Sequence, residues 1–375
     1  MLQGNTTRLA DPSPMPSAAA SWRITARRFW RLAGGFWSER GTRGEALSIA
    51  ALLALLAGAE VALMLRFNTW NRDLFDALER RDGEAVLWEC LVLLLIVAGF
   101  CVASAGQLLC RRRLALGWRN WLGARLTGLW VAAGPALTPP NVDGRIAEDV
   151  RVSTEEWVEL SASLLHALIT LASFVGVLWV LSNHPPITLG GVEFGLPGYL
   201  LWFAILYALL GMFVAVAAGR TLIRTTDERQ AKEAEYRAAL VRARDTAAHG
   251  GVDAPRLHGL FGQLAQAFER QSRAFAKLEF FVCAVTRVGF GLPFLVATPA
   301  YLAGAVTLGW VMQAAQAFQT VAEALSWPVK HMPRLAQWRA SAERVLVLAD
   351  AAQAQAAAPA PRAAALPAAA QPAQG

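Results

Sequence analysis

Gln313, Gln316, Gln319 and Glu323 advance by three, three and four residues, so all four fall on one face of a helix. They belong to a run, Ala303–Trp327, whose only charge is Glu323, and Glu60 is likewise the only charge of the run Ala46–Leu65. Ionisable groups inside apolar runs are costly, and are candidates for function by default. Two chemistries suit these five residues: a polar lining for a substrate cavity, or proton carriage by the two carboxylates. The alternative is a face that meets another helix or subunit and is satisfied there. Arg287 is the single charge of a further run, Phe280–Leu302, whereas Glu89 and Glu159 stand at the ends of runs and read as interfacial.

Other chemistries find no constellation. His166, His184, His249, His258 and His331 are scattered, with no metal or triad spacing. Cys90, Cys101, Cys110 and Cys283 all lie in or beside apolar runs and read as small apolar packing residues. A phosphate-cradling Walker A loop needs Gly-Lys-Ser/Thr. Here Lys232 and Lys277 follow Ala, and Lys330 follows Val. The expectation is a permease and not an enzyme. No catalytic residue, metal or cofactor is expected in the chain, and ATP would act only through a partner subunit.

The elements that must position these residues are membrane helices. Of 375 residues 55% are hydrophobic and 17% charged, and the mean hydropathy is +0.36. The apolar residues are blocked into six runs: Ala46–Leu65, Cys90–Leu109, Leu160–Leu181, Phe194–Ala218, Phe280–Leu302 and Ala303–Trp327. Each meets the roughly 20 residues needed to cross a bilayer as helix, and only a helix satisfies its own backbone there. The fold class expected is an all-α membrane protein with six transmembrane helices.

The net charge of +7 is carried mostly by arginine, and its placement argues for membrane topology and not for nucleic acid. Seven Arg precede the first run, seven more lie between the second and third, and the connection between the fourth and fifth is also basic. Residues 183–193 contain no Lys or Arg. The positive-inside rule then places both termini and both long connections in the cytoplasm. The first external loop opposes this with Arg66, Arg72, Arg80 and Arg81, interleaved with five acidic residues, and is outvoted. No secretory signal is expected in the polar N-terminal stretch. The division expected is 1–44 as a basic cytoplasmic segment, 45–350 as the membrane domain, and 351–375 as a disordered Ala/Pro-rich tail.

The two internal connections, 110–159 and 219–279, are much longer than the external ones and read as helical. Each is broken once, at Pro139-Pro140-Asn141 and at His249-Gly250-Gly251. Two helical arms with a turn at each tip suit contact with an ATPase; a surface helix on lipid headgroups, favoured by Trp118, Trp121 and Trp130, is the alternative for the first. Arg145, Glu148, Asp149 and Arg151 share a short helix at the first tip, where Arg145 can pair with Glu148 or Asp149. Pro293 would kink the fifth span.

Several motifs resemble the SbmA/BacA-like family in the order that family has them. They include Phe67-Asn68-Thr69-Trp70-Asn71-Arg72-Asp73, Trp118-Arg119-Asn120-Trp121 and Gly144-Arg145-Ile146-Ala147-Glu148-Asp149-Val150-Arg151. Gly304-Ala305-Val306-Thr307-Leu308-Gly309 and Trp338-Arg339-Ala340 follow, so the resemblance covers about 45–350. Asn141-Val142-Asp143-Gly144 departs from the family's Asn-Pro-Asp-Gln, and the second tip lacks the family's usual Glu-rich segment. The resemblance implies an ABC exporter-type arrangement close to the ATP-binding/permease branch. In it, Asn68, Trp70 and Asn71 form an external-loop motif, and Arg145, Glu148, Asp149 and Arg151 form a coupling helix. It also implies a homodimeric bacterial inner-membrane transporter of peptides or other bulky hydrophilic compounds, embedded in membrane lipid. Energy would come from a separate ATPase subunit or from a proton gradient acting through Glu60 or Glu323. A truncated permease–ATPase or a non-transporting scaffold is the remaining alternative.

Overall fold

The computed structural model describes residues 18–134, 141–183, 187–189, 192–194, 197–247 and 254–357. Long helices make up nearly all of it. α1 (Ala18–Ala33) leads through a 3-10 turn (Gly34–Trp37) to α2 (Arg43–Glu79) and α3 (Gly83–Ala133). A one-turn α4 (Val142–Gly144) and a π-helical turn (Arg145–Asp149) run directly into α5 (Val150–Ser182). After α5 come two three-residue strands, β1 (Ile187–Leu189) and β2 (Val192–Phe194), paired antiparallel with Ile187 opposite Phe194. α6 (Tyr199–Ala247), α7 (Ala254–Leu302), α8 (Leu308–Leu325) and α9 (Trp327–Ala357) complete the order.

The all-α membrane class holds, with one difference in the span count. Among the described residues, five helices are long and apolar enough to cross a bilayer: α2, α3, the helix from Val142 to Ser182, the first part of α6, and α7. The sixth expected span is α8, which has only 18 residues and four polar side chains on its face. Its length is about 27 Å at 1.5 Å per residue, close to the hydrocarbon thickness. It is nevertheless largely buried by protein: Gln313, Ala314, Ala315, Ala317, Phe318, Val321 and Ala322 are all buried.

Three local expectations change. The first external "loop" is helix: α2 continues to Glu79 and only Arg80–Asp82 turn before α3. Arg81 takes a left-handed conformation there (φ 57°), and the amides of Arg81 and Asp82 close back on Leu78 and Ala77. Asp82 then caps α3 by accepting from the Ala85 amide at 3.1 Å. Ala351–Ala357, expected to belong to a disordered tail, are helical: α9 runs to Ala357 and buries Ala352. The N-terminal segment is not merely basic, since α1 is a helix whose Phe29 is fully buried. The breaks expected at 139–140 and 249–251 lie outside the described residues. α7 runs through Pro293, which is buried.

By contacts the chain divides into two compact units, each assembled from separated segments. The first takes Met1–Ala51, Cys110–Glu159 and Arg334–Gly375; the second takes Leu52–Leu109 and Leu160–Pro333.

The first unit is organised by aromatic rings. Phe29, Trp118 and Trp338 are each fully buried, and Phe29 meets both tryptophans edge-on at 6.2 and 5.6 Å. Trp157 packs on Trp338 at 5.0 Å, and Phe36 stacks on Trp118 at 6.2 Å. A buried indole needs a partner for its N–H, and Trp118 Nε1 donates to the Ala33 carbonyl at 2.9 Å at the end of α1. Two short sequence motifs 220 residues apart, one beginning at Trp118 and one at Trp338, thus meet in one core.

The core of the second unit is Phe174, Leu178, Leu200, Ala204, Ala314, Phe318 and Val321, from α5, α6 and α8. α6 and α7 approach closely at Gly289, where any Cβ would strike the Tyr207 ring. Tyr207 in turn donates to the Val285 carbonyl at 2.9 Å.

Truncating a fully buried aromatic leaves a cavity and costs about 3–5 kcal/mol. Trp118→Ala and Trp338→Ala are therefore each expected to lower the thermal unfolding temperature of the detergent-solubilised chain sharply. A surface change such as Trp130→Ala serves as the control that leaves it near wild type.

Candidate functional site

α2 meets α8 at Gln316, at the Gln313 carbonyl and at the first amides of the helix. Asn68 is almost wholly buried; its Nδ2 donates to the Gln313 carbonyl at 3.0 Å and to Gln316 Oε1 at 3.3 Å. Asn71, one turn further along α2, donates to the same Gln316 oxygen at 3.1 Å. Nearer the end of α2, Asp76 accepts from the Gly309 amide and Glu79 from the Leu308 amide, both at 3.1 Å. These two carboxylates meet the unpaired N–H groups and positive dipole end of α8, beside its own cap, Thr307 accepting from the Trp310 amide. Gly309 permits the approach: a Cβ there would collide with the Asp76 carboxylate and the Arg72 carbonyl.

Trp70 faces the other way. Its Nε1 donates to the Glu89 carbonyl of α3 at 2.8 Å, while Phe67 stacks on its ring at 5.1 Å. The three residues read as a loop motif are thus a helical joint, with Asn68 and Asn71 holding α8 and Trp70 holding α3.

The five residues expected to share a polar cavity separate into three places. Gln313 and Gln316 belong to the α2–α8 seam. The Asn68 Oδ1 and Gln313 Oε1 atoms there are buried with no hydrogen-bond partner among the described residues. Gln319 and Glu323 instead line a cavity of 390 Å³ between α6, α7 and the α8–α9 junction, walled mainly by apolar side chains. Glu323 pairs with Lys330 at 2.7 Å, and both side chains are more than half exposed. Such exposed pairs contribute little to stability.

Glu60 occupies the third place. It accepts a short hydrogen bond from Gln107 Nε2 and lies 3.7 Å from His166 Nδ1. The structure thus brings together residues of three helices, with Gln107 two residues before the end of the second apolar run and His166 six residues into the third. Close packing accompanies the cluster: Gly106 of α3 lies against the Leu56 side chain of α2. One turn beyond His166, Thr170 is buried, and its Oγ1 has no hydrogen-bond partner among the described residues. His166 had been set aside as one of five scattered histidines. A polar residue on a charge-free run beside Glu60's neighbouring helix was the signal for Gln107.

The first arm's tip is held by α9. Both Asp149 oxygens accept from Arg344 Nε at 2.9 Å, and Arg344 Nη2 reaches Oδ1 at 2.6 Å. Arg145 Nη1 donates to the Arg344 carbonyl at 3.1 Å. The expected Arg145–Glu148 and Arg145–Asp149 pairs give way to these contacts. Glu148 is taken by Arg151 at 2.6 Å, and Arg151 also holds Glu155 at 2.7 Å. The hydrogen bond to Asp149 raises the Arg344 pKa above the ordinary guanidinium value. The Arg151 hydrogen bonds hold the Glu148 pKa below its ordinary 4.5. That clamp is therefore present above pH 4.5 and opens only as pH falls through the lowered value.

Buried polar seams are costly to half-dismantle. Gln316→Leu removes the acceptor of two amides and is expected to destabilise the chain by about 1–3 kcal/mol, read as a lowered unfolding temperature. Gly309→Val is expected to displace α8 outright, read as loss of folded protein on size-exclusion chromatography. At the tip, Asp149→Arg and Arg344→Asp should each destabilise, and the double exchange should recover part of the loss if the pair is what holds the tip.

A model of the SbmA/BacA-like family matches residues 37–345. The chain is 25% identical over 339 residues to the inner membrane ABC transporter ATP-binding protein YddA of Escherichia coli (strain K12), covering 86% of this chain and 60% of that one. It is 24% identical over 349 residues to ABC transporter D family member 2, chloroplastic, of Arabidopsis thaliana (90% and 47% covered). An uncharacterized ABC transporter ATP-binding protein of Synechocystis is 28% identical over 318 residues (79% and 44% covered). The chain thus spans about half the length of these relatives. With apolar helices of spanning length and a family match across most of its residues, the chain is a membrane-embedded member of the SbmA/BacA-like family.

Proposed function

We propose that this membrane transporter moves peptides or other bulky hydrophilic compounds across a bacterial inner membrane by alternating access, as a homodimer powered by a separate ATPase subunit. Both termini and both arms lie on the cytoplasmic side in this reading. The observation that carries it is the tip of the first arm. The Asp149–Arg344 pair fixes the turn Arg145–Asp149 on α9, while Ala147 and Glu148 stay exposed on that turn for a partner to grip. A preorganised turn loses little freedom when it docks, which favours coupling. Relatives whose names carry "ATP-binding" agree with this energy source. The chain itself supplies no Walker motif and acts as permease, not enzyme, with no cofactor of its own.

The test is uptake of a fluorescent peptide into proteoliposomes holding the purified chain. Uptake is expected only with ATP and an added ATPase subunit, and a protonophore should not reduce it. Glu148→Lys is expected to weaken ATP-driven uptake about tenfold or more, a loss of ~1.4 kcal/mol at the contact, without changing the amount of folded chain. Uptake that needs neither ATP nor a partner subunit would sink the reading.

A second reading has its own observation. Glu60, Gln107 and His166 put a carboxylate 3.7 Å from an imidazole inside the membrane helices, a pair able to pass a proton. If a proton gradient drives transport, Glu60→Gln and His166→Phe should each abolish gradient-driven uptake. Uptake unaltered in both variants removes them as proton carriers.

A further inference from the structure

Resting on the peptide-transport reading and narrowing it, we propose that the cavity between α6, α7 and α8 binds one apolar residue of an extended peptide. The side chain of that residue fills the cavity, and its backbone N–H and C=O pair with the Gln319 amide. The volume of 390 Å³ lies at the low end of ligand pockets, so the cavity holds part of a substrate and not the whole.

Three helices agree on where this space lies. Its α6 wall, residues 207–215, falls in the last twelve residues of the apolar run that ends at Ala218. Its α7 wall, residues 282–290, falls in the first eleven of the run that starts at Phe280. Its α8 wall, residues 318–323, falls in the last ten of the run that ends at Trp327. The up-and-down order of the helices puts these three ends on one side. The cavity therefore sits in one half of the spans, with Lys330 just beyond the last run.

Most polar side chains that line the cavity are paired. Tyr207 and Ser326 each donate to a backbone carbonyl, and Lys330 donates to Glu323 at 2.7 Å. Gln319 and Thr286 have no hydrogen-bond partner among the described residues. Gln316, three residues earlier on α8, has its oxygen taken by two asparagines, whereas Gln319 faces the cavity. A primary amide among apolar walls leaves both a donor and an acceptor unmet, at a cost. An acyl chain would fill such a space and meet neither. An extended peptide residue points its own N–H and C=O to one side, as in a β ladder, and meets both at once. The apolar walls then take its side chain, and Thr286 adds a hydroxyl to the same space. The half-exposed Glu323–Lys330 pair offers one charge of each sign to the charged ends or neighbours of that residue.

The test is photolabelling of the purified full chain in detergent by the tripeptide Ala-benzoylphenylalanine-Ala, with neither ATP nor a partner present. Mass spectrometry is expected to find the label on cavity residues such as Met212 and Val282. Unlabelled Ala-Leu-Ala should protect at about fivefold lower concentration than its analogue with an ester oxygen in place of the leucine N–H, the scale of one hydrogen bond. Ala-Ser-Ala should protect least. Gln319→Leu should make amide and ester protect alike while the unfolding temperature stays near wild type; Gln319→Met takes its place if the leucine variant loses its fold. Label absent from the cavity, equal protection by amide and ester in wild type, or a difference that survives in a folded Gln319 variant overturns the proposal. Lauric acid protecting as well as Ala-Leu-Ala would reassign the space to an acyl chain and overturn it too. Labelling needs no turnover, so its failure leaves the uptake result standing, and failed uptake leaves a labelled site standing.

Discussion

Three glutamines and a glutamate on one 18-residue helix cannot face hydrocarbon, and the placement of α8 follows from that constraint. An unpaired amide in an apolar medium costs several kcal/mol, so the helix must bring its polar face to other polar groups. α2 supplies several of them in register: Asn68 at the Gln313 carbonyl, Asn68 and Asn71 at the Gln316 side chain, then Asp76 and Glu79 at the first amides of α8. Antiparallel helices keep such a register over three turns only if the backbones come close, and Gly309 is the position that lets them. The core of α5, α6 and α8 then closes on the opposite, apolar side of the same helix. A helix too polar to count as a span by its own composition is therefore among the most buried elements of the molecule.

The first unit solves a different problem. Segments from the N-terminal part, the first arm and the C-terminal part have no long apolar run in common, and a set of aromatic rings gathers them instead. Phe29, Trp118, Trp157 and Trp338 each come from a different helix, and their edge-on and tilted contacts fix the relative rotation of those helices. On that base the Asp149–Arg344 pair is well placed to act as a clasp. Asp149 is mostly buried, so its charge needs a partner, and a guanidinium meeting both carboxylate oxygens is the strongest one available. The residues first taken as free to meet a partner therefore split into two jobs: Arg145 and Asp149 hold the tip, and Glu148 with Arg151 remains on its surface.

Membrane class, helix length and helical arms were legible in the sequence because hydropathy blocks and the absence of breakers are local properties. Motif positions were legible too, as Asn68, Trp70, Asn71, Trp118 and Trp338 all occupy key contacts. Their purpose was not. Asn68 and Asn71 read as loop residues because the polar stretch Arg66–Glu84 resembles a loop in composition, although a helix with one polar face has the same composition. The partners of Glu60 were not legible, because they depend on which α3 and α5 residues α2 packs against. His166 and Gln107 carried no signal beyond being polar within apolar runs.

By itself the sequence determined that this chain enters a membrane as helices, which side its arginines favour, and which residues had to find polar partners. Those conclusions need only the energetics of single segments in lipid and water. The tertiary structure alone decided which partners were found: Gln316 with two asparagines of α2, Glu60 with His166 and Gln107, and Asp149 with Arg344 across 195 residues of chain. Pairings of that kind depend on the rotation and register of packed helices, which are set jointly by glycines, rings and backbone approach at many positions and are written in no single stretch of residues.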